Sequence, residues 1–251
     1  MSREQIEREV RAVPVWYHSI DLGHGIVTPG FYDMRPFLDR YRFPDSFAGL
    51  TVLDVGASNG YFSFEFERRG ARRVIGTDLP SVMDHDYPEW LKDEFRATYD
   101  KDQRDGVDRQ ELKQGFEVAR DALGSKVERL HTRIYDLPST VKEPVDWAFC
   151  GSVLVHLRDP VGAIEAVRRV VKPGGGVVIA TPVHHLGPSI SSALFVGEPR
   201  RCAWWVFSPA ALVKACEAAG LKSVEYVGDF EITTPHDPPI VDTIGIVHAR
   251  A

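Results

Sequence analysis

The chain has 251 residues, 30 Lys and Arg against 36 Asp and Glu, a formal net charge of −6 at pH 7, and 43% hydrophobic residues. That composition suits one large or two small soluble α/β domains, and the acidic balance argues against a large nucleic-acid footprint. Residues 174–197 lack charged side chains but contain Pro182 and Pro188, the first ten residues are charged where a secretory leader is apolar, and Cys150, Cys202 and Cys216 are too scattered for a disulfide framework, so a cytoplasmic protein with no membrane span is expected.

Residues 1–48 are aromatic-rich and irregular, and read as a cap over the site end of a sheet. Thr51–Val55 is a short apolar run closed by Gly56 and reads as a buried strand. Gly60–Arg69 follows as a helix, with Phe62 and Phe66 four apart and Gly70 as its stop. Arg73–Thr77 is a second strand. Residues from about 84 to 124 are charged, helix-prone and too long for a simple connection, so they read as a helical insertion near a binding mouth. Val127–Tyr135 alternates as a third strand and Val145–Cys150 reads as a fourth. The helical stripe of Val161–Val171 is stopped by Lys172-Pro173-Gly174-Gly175-Gly176, and Val177–Thr181 is a fifth strand. Ser208 and Pro209 open a helix that runs to Ala219. Leu221–Val227 and Thr243–His248 are the last two strands, joined without an obvious helix, so at least one is expected to be antiparallel. The alternation predicts a Rossmann-like α/β domain over 49–251, a seven-stranded, mostly parallel sheet with helices on both faces.

The most informative segment is Asp54-Val55-Gly56-Ala57-Ser58-Asn59-Gly60. A buried strand meets a small-residue turn and then a helix whose free N–H groups face a ligand. Asp78, at the end of the second strand, can accept both hydroxyls of a ribose. A dinucleotide loop would read G-x-G-x-x-G, shaped for pyrophosphate, and the third glycine of that pattern is missing here. Asp54 is unfavourable beside a pyrophosphate and useful beside a cation such as the ammonium of a methionine moiety.

From about residue 45 to its end the chain resembles the class I S-adenosylmethionine-dependent methyltransferases. Asp54–Gly60 is similar to their first motif, with Ser58 in place of a glycine, and Thr77-Asp78 to the acid after the second strand. Tyr135-Asp136-Leu137 is similar to the segment whose acid sits near the adenine amino group, Cys150-Gly151-Ser152 to the strand end that flanks the sulfonium, and Lys172-Pro173-Gly174-Gly175 to the turn before strand five. The resemblance therefore implies S-adenosyl-L-methionine as cofactor, with Asp54, Gly56, Asn59, Gly60, Asp78, Tyr135, Asp136 and Gly151 around it. A narrower resemblance rests on Trp16–Gly23, Gly25–Gly30 and Val153-Leu154-Val155-His156-Leu157-Arg158-Asp159-Pro160. These are similar to the wobble-uridine carboxymethyltransferases of tRNA and to actinobacterial sugar O-methyltransferases, among them one that methylates the reducing end of methylmannose polysaccharide. The carboxymethyltransferases hold their carboxylated cofactor with a tyrosine where this chain has Val155, and Arg35 is the nearest match to a basic residue of that subgroup. Unmodified S-adenosylmethionine is therefore expected, with Tyr17 covering the cofactor or the acceptor.

Transfer to an alcohol needs a group that takes its proton, and a neutral histidine suits that role. His156, just past strand four, and His18, in the cap, are the candidate bases. His184 and His185 after strand five and Trp205 before the last helix are candidate acceptor contacts. A divalent ion such as Mg²⁺ is left open: no HxD spacing occurs, and Glu128 and His131 fall on a predicted strand, pointing to opposite faces. The expectation is an O-methyltransferase acting on a sugar or oligosaccharide hydroxyl. A tRNA wobble-uridine enzyme and a non-catalytic cofactor-binding protein are the alternatives.

Overall fold

The first strand, β1 (Thr51–Val55), is buried at every position, as a β-branched run covered on both faces must be. The computed structural model describes residues 1–187, 190–234 and 239–251. A helix, α1 (Arg3–Ala12), precedes β1, and α2 (Tyr61–Arg68), β2 (Arg73–Asp78), α3 (Glu89–Thr98), α4 (Lys101–Asp108), α5 (Gln114–Leu123) and β3 (Glu128–His131) follow it. Then come α6 (Leu137–Thr140), β4 (Val145–Gly151), α7 (Pro160–Val170), β5 (Val171–Pro182), β6 (Ala193–Glu198), β7 (Ala203–Phe207), α8 (Pro209–Ala218), β8 (Lys222–Thr234) and β9 (Ile240–Arg250).

The main sheet has seven strands in the order β3-β2-β1-β4-β5-β9-β8, with β9 antiparallel to both of its neighbours and the other pairings parallel. The chain steps outward from β1 to β3 and then returns to lay β4 on the other side of β1. That reversal is the crevice where open α/β sheets bind ligands. α7 and α8 cover one face, with Ile164, Val167, Leu212 and Cys216 packed on Leu53, Val177 and Ile179. Asp159 caps α7 through Gly162 N at 2.9 Å, with Pro160 at its first position.

The cap is built into the other face. Tyr41, Phe43 and Phe47 share a core with Phe62, Phe66 and Phe149, and Phe37 stacks on Phe230 at 4.7 Å. The insertion is helical, as its composition predicts; α5 packs against the sheet through Phe116 and Ala119, and the widened turn Arg109–Lys113 before it reaches the crevice.

Two readings need correction. The predicted strand Val127–Tyr135 ends at His131, and Ile134–Asp136 is a tight helical turn. The apolar pair Ile134 and Leu137 is three apart, a helical spacing that brings both into one core. The β6–β7 hairpin was not anticipated; it forms a separate two-stranded sheet. β8 is a thirteen-residue edge strand interrupted by register shifts at Lys222/Glu225 and Tyr226/Gly228.

Candidate active site

The crevice opens into a cavity of about 710 Å³. Its floor begins at Gly56, whose φ of +75° is unfavourable for side chains; a Cβ there would lie 2.4 Å from Val153 Cγ2. Gly56 N and Ala57 N both donate to the Thr77 carbonyl at 2.9 Å, fastening the turn to β2. Ser58 also adopts a left-handed conformation, φ 48°, where the resembling motif carries glycine. Its N–H donates to Asp78 Oδ2 at 2.8 Å, and Leu79 N donates to Oδ1 at 2.8 Å. Asn59 is buried and accepts the Tyr17 N–H on Oδ1 at 2.5 Å, clipping the cap to the turn.

Arg129, on β3, is a residue that the motifs did not announce. Its guanidinium donates to Asp78 Oδ2 at 3.2 Å, to the Ser58 carbonyl at 2.9 Å and to the Leu112 carbonyl at 2.5 Å, and lies 4.6 Å from the Phe116 ring centre. One buried cation thus joins the turn, the acid after β2 and the insertion. Burial pulls its pKa down, while Asp78 and Asp54 pull it up.

Gly56, Ser58, Asn59, Asp78, Tyr135 and Gly151 line the cavity together with Tyr17, His18 and His156. Five other expected contacts lie elsewhere. Asp54 is 1% exposed and accepts Ser63 Oγ at 2.5 Å; its side chain points to the α2 face rather than past the strand end. Burial pushes its pKa up to about 7. Gly60 caps α2, where a Cβ would meet the Phe64 and Phe116 rings at 2.6 and 2.8 Å, a packing role. Asp136 is exposed; Thr132, Arg133, Ile134 and Tyr135 face the cavity from that turn. Arg35 is exposed and held bidentately by Asp33 at 2.8 and 2.6 Å. Trp205 is half-buried with its Nε1 donating to the Arg158 carbonyl at 3.4 Å.

His184 and His185 are also outside the lining. Val183 bridges to Phe207 and His184 N donates to the Phe207 carbonyl at 3.0 Å, so the chain leaves β5 along the hairpin instead of over the crevice. His184 Nε2 meets Ser192 Oγ at 3.4 Å and His185 Nε2 meets Asp229 Oδ2 at 3.2 Å. Among the described residues no group of three or more His, Cys, Asp or Glu side chains is placed to hold a metal ion, so nothing there supports the Mg²⁺ left open above.

His156 Nδ1 lies 3.0 Å from the Cys202 carbonyl. A carbonyl can only accept, so Nδ1 carries the hydrogen and Nε2 keeps a free lone pair in the neutral ring. Cys202 Sγ returns a bond to the His156 carbonyl at 3.3 Å, fixing the turn against the start of β7. Burial lowers the His156 pKa, which keeps the ring neutral. His85, in the insertion, faces His156 with ring centres 6.4 Å apart and has its pKa lowered to about 4 by burial. Neighbouring Asp86 accepts Tyr135 Oη at 2.7 Å, Arg158 N at 2.9 Å and Arg133 Nη2 at 3.2 Å, tying the insertion to the ends of β3 and β4.

His18 is 7% exposed and its Nδ1 has no partner among the described residues. Burial lowers its pKa from 6.5 to about 3. Between those values the unfolded chain binds the extra proton, so the stability that neutral His18 contributes above pH 6.5 is lost as the pH falls. The slope amounts to about 1.4 kcal/mol per pH unit at most. Urea midpoints at pH 7 and pH 5 should fall further for the wild type than for His18→Gln; equal falls would contradict this assignment.

The turn, the cradle at Gly56 and the carboxylate of Asp78 at the end of β2 fit a ribose-bearing cofactor, and the sheet order together with this site defines a class I methyltransferase fold. The profile of the family described as "Methyltransferase domain" matches residues 29–226, and the chain belongs to that family. Curated relatives include the tRNA U34 carboxymethyltransferases of Marinobacter nauticus, 28% identical over 74% of this chain and 48% of that protein, and of Helicobacter acinonychis, 27% identical over 82% and 68%. The chain spans about half the length of several of these relatives. Among solved structures, the N-terminal domain of EvdMO1 in the presence of SAH and D-fucose has a TM-score of 0.64 at 20% identity, covering 100% of this chain and 97% of that one. The [4+2]-cyclase SpnF has a TM-score of 0.51 at 16% identity, covering 90% and 72%. At such identities the likeness is one of fold, and fold alone does not fix the acceptor. Residues 29–226 thus form a methyltransferase domain. No helix among the described residues is long and apolar enough to cross a membrane.

Proposed function

We propose that the protein methylates a hydroxyl of a small molecule, a sugar or oligosaccharide. The observation that carries this reading is the pairing of charges around the cavity. Its two lining arginines are engaged by acids, Arg133 by Asp86 at 3.2 Å and Arg201 by Glu198 at 3.5 Å. The cavity wall instead offers the Tyr32 hydroxyl bonded to Asp242, and two neutral histidines, His18 and His156. Such groups suit an uncharged polyol better than a phosphate chain.

S-adenosylmethionine, when bound, supplies an electrophilic methyl group. Gly56, Ser58 and Asn59 would hold it with Asp78, Leu79 and Gly151. His156 Nε2 would take the proton of the attacking hydroxyl, with Nδ1–H kept on the Cys202 carbonyl so that the charged ring stays oriented. His18 is the second group able to do so. His156→Gln should lower kcat by about 100-fold or more with cofactor affinity unchanged; an unaltered kcat would move the role to His18.

The curated relatives favour a second reading, a tRNA-modifying enzyme. Against it stand the net charge of −6, Val155 on the cavity wall and Arg35 bound by Asp33. Incubation with labelled S-adenosylmethionine and either an oligosaccharide pool or total tRNA separates the two. Label in the sugars supports the proposal, and label confined to tRNA overturns it.

A further inference from the structure

At one end of the cavity three segments distant in sequence meet: the cap at Tyr17 and His18, the cap again at Tyr32, and β9 at Asp242. Tyr32 Oη donates to Asp242 Oδ2 at 3.2 Å, and the Tyr17 and Tyr32 rings lie 4.9 Å apart. His18 packs edge-on against Tyr17 at 4.8 Å. Asp242 forms no ion pair and takes no second hydrogen bond among the described residues. One Asp242 carboxylate oxygen is thus spare, and the buried Nδ1 of nine-tenths-buried His18 is unpartnered among the described residues. A built but incompletely satisfied polar group of this kind is costly unless a ligand completes it.

We propose that Asp242, held by Tyr32 beside Tyr17, is the acceptor subsite and selects neutral polyhydroxylated acceptors against anionic ones. This rests on the hydroxyl-methylating reading above. A carboxylate without a countercharge accepts hydrogen bonds from sugar hydroxyls and repels phosphate and carboxylate groups. Ile232, Ile240 and Ile244 supply the apolar wall beside it. Asp242 is thus a specificity residue, whereas the proton of the reacting hydroxyl is assigned to a histidine.

The test loads the protein with S-adenosylhomocysteine and titrates D-fucose, D-glucose and D-glucose 6-phosphate, observed by ligand NMR. Wild-type protein should bind the neutral sugars at least tenfold more tightly than the phosphate. Asp242→Asn should weaken neutral-sugar binding by about tenfold and narrow the gap to the phosphate, with S-adenosylhomocysteine affinity unchanged. Tyr32→Phe, which frees the carboxylate but removes its anchor, should weaken neutral sugars by a smaller factor. Neutral-sugar binding that is identical in wild type and Asp242→Asn overturns this inference and leaves the reading of the reaction standing. Equal wild-type affinity for the phosphate also overturns it. Failure of the wild type to bind any of the three sugars, with tRNA labelled in the transfer assay, overturns both.

Discussion

Arg129→Met should destabilise the protein by about 3–5 kcal/mol and weaken S-adenosylmethionine binding by at least tenfold, because removing one partner of a buried ion pair strands the other. Asp78 would keep its two N–H donors but lose the guanidinium, and the carbonyls of Ser58 and Leu112 would lose theirs. The Gly56–Gly60 turn and the insertion beside it would then be anchored separately. Urea denaturation gives the first effect and calorimetry with the cofactor gives the second. Arg129→Lys should recover part of the affinity by restoring charge without the fork. Pairing Arg129→Met with Asp78→Asn should cost less than the sum of the two, since neither variant then leaves a bare charge. A strictly additive pair would mean that the two side chains do not act together.

The second large effect is expected at Phe149. It is 1% exposed on β4 and its ring meets Tyr41 at 5.7 Å, Phe43 at 5.3 Å, Phe62 at 4.5 Å and Phe66 at 5.9 Å. Phe149→Ala should destabilise by about 3–5 kcal/mol. The ring joins the central strand, α2 and the cap, so the loss should appear in one cooperative transition. An early, separate melting of the cap would show that residues 1–48 fold independently of the sheet.

The Gly56–Asp78 end of the cavity was legible because its constraints are local. A tight turn between a buried strand and a helix demands small residues at fixed spacing, and an acid closes the next strand, so Gly56, Asn59 and Asp78 could be found within one stretch. Even there, side-chain direction was lost. Asp54 precedes the turn by two residues but points to the α2 face, and Asp136 follows Tyr135 but faces outward. The rest of the cavity was only partly legible. Tyr17, His18 and His156 stood in segments already singled out, but Tyr32, His85, Asp86, Arg129 and Asp242 are brought together by tertiary packing with no sequence spacing to mark them. His184 and His185 show the reverse error. The rule that parallel strands end at the site holds for β5, but the hairpin bond from His184 N to Phe207 carries the following residues aside.

The long edge strand β8 bears on how the molecule behaves in a crowd of its own copies. An open strand edge of thirteen residues is a template for strand addition by a neighbour. Its register shifts break the repeat that an incoming strand would have to match, and exposed Glu225 and Glu231 put like charges opposite each other when two such edges approach. The opposite edge, β3, is four residues long and so gives little purchase. Self-association through the sheet is thereby resisted by geometry and charge together.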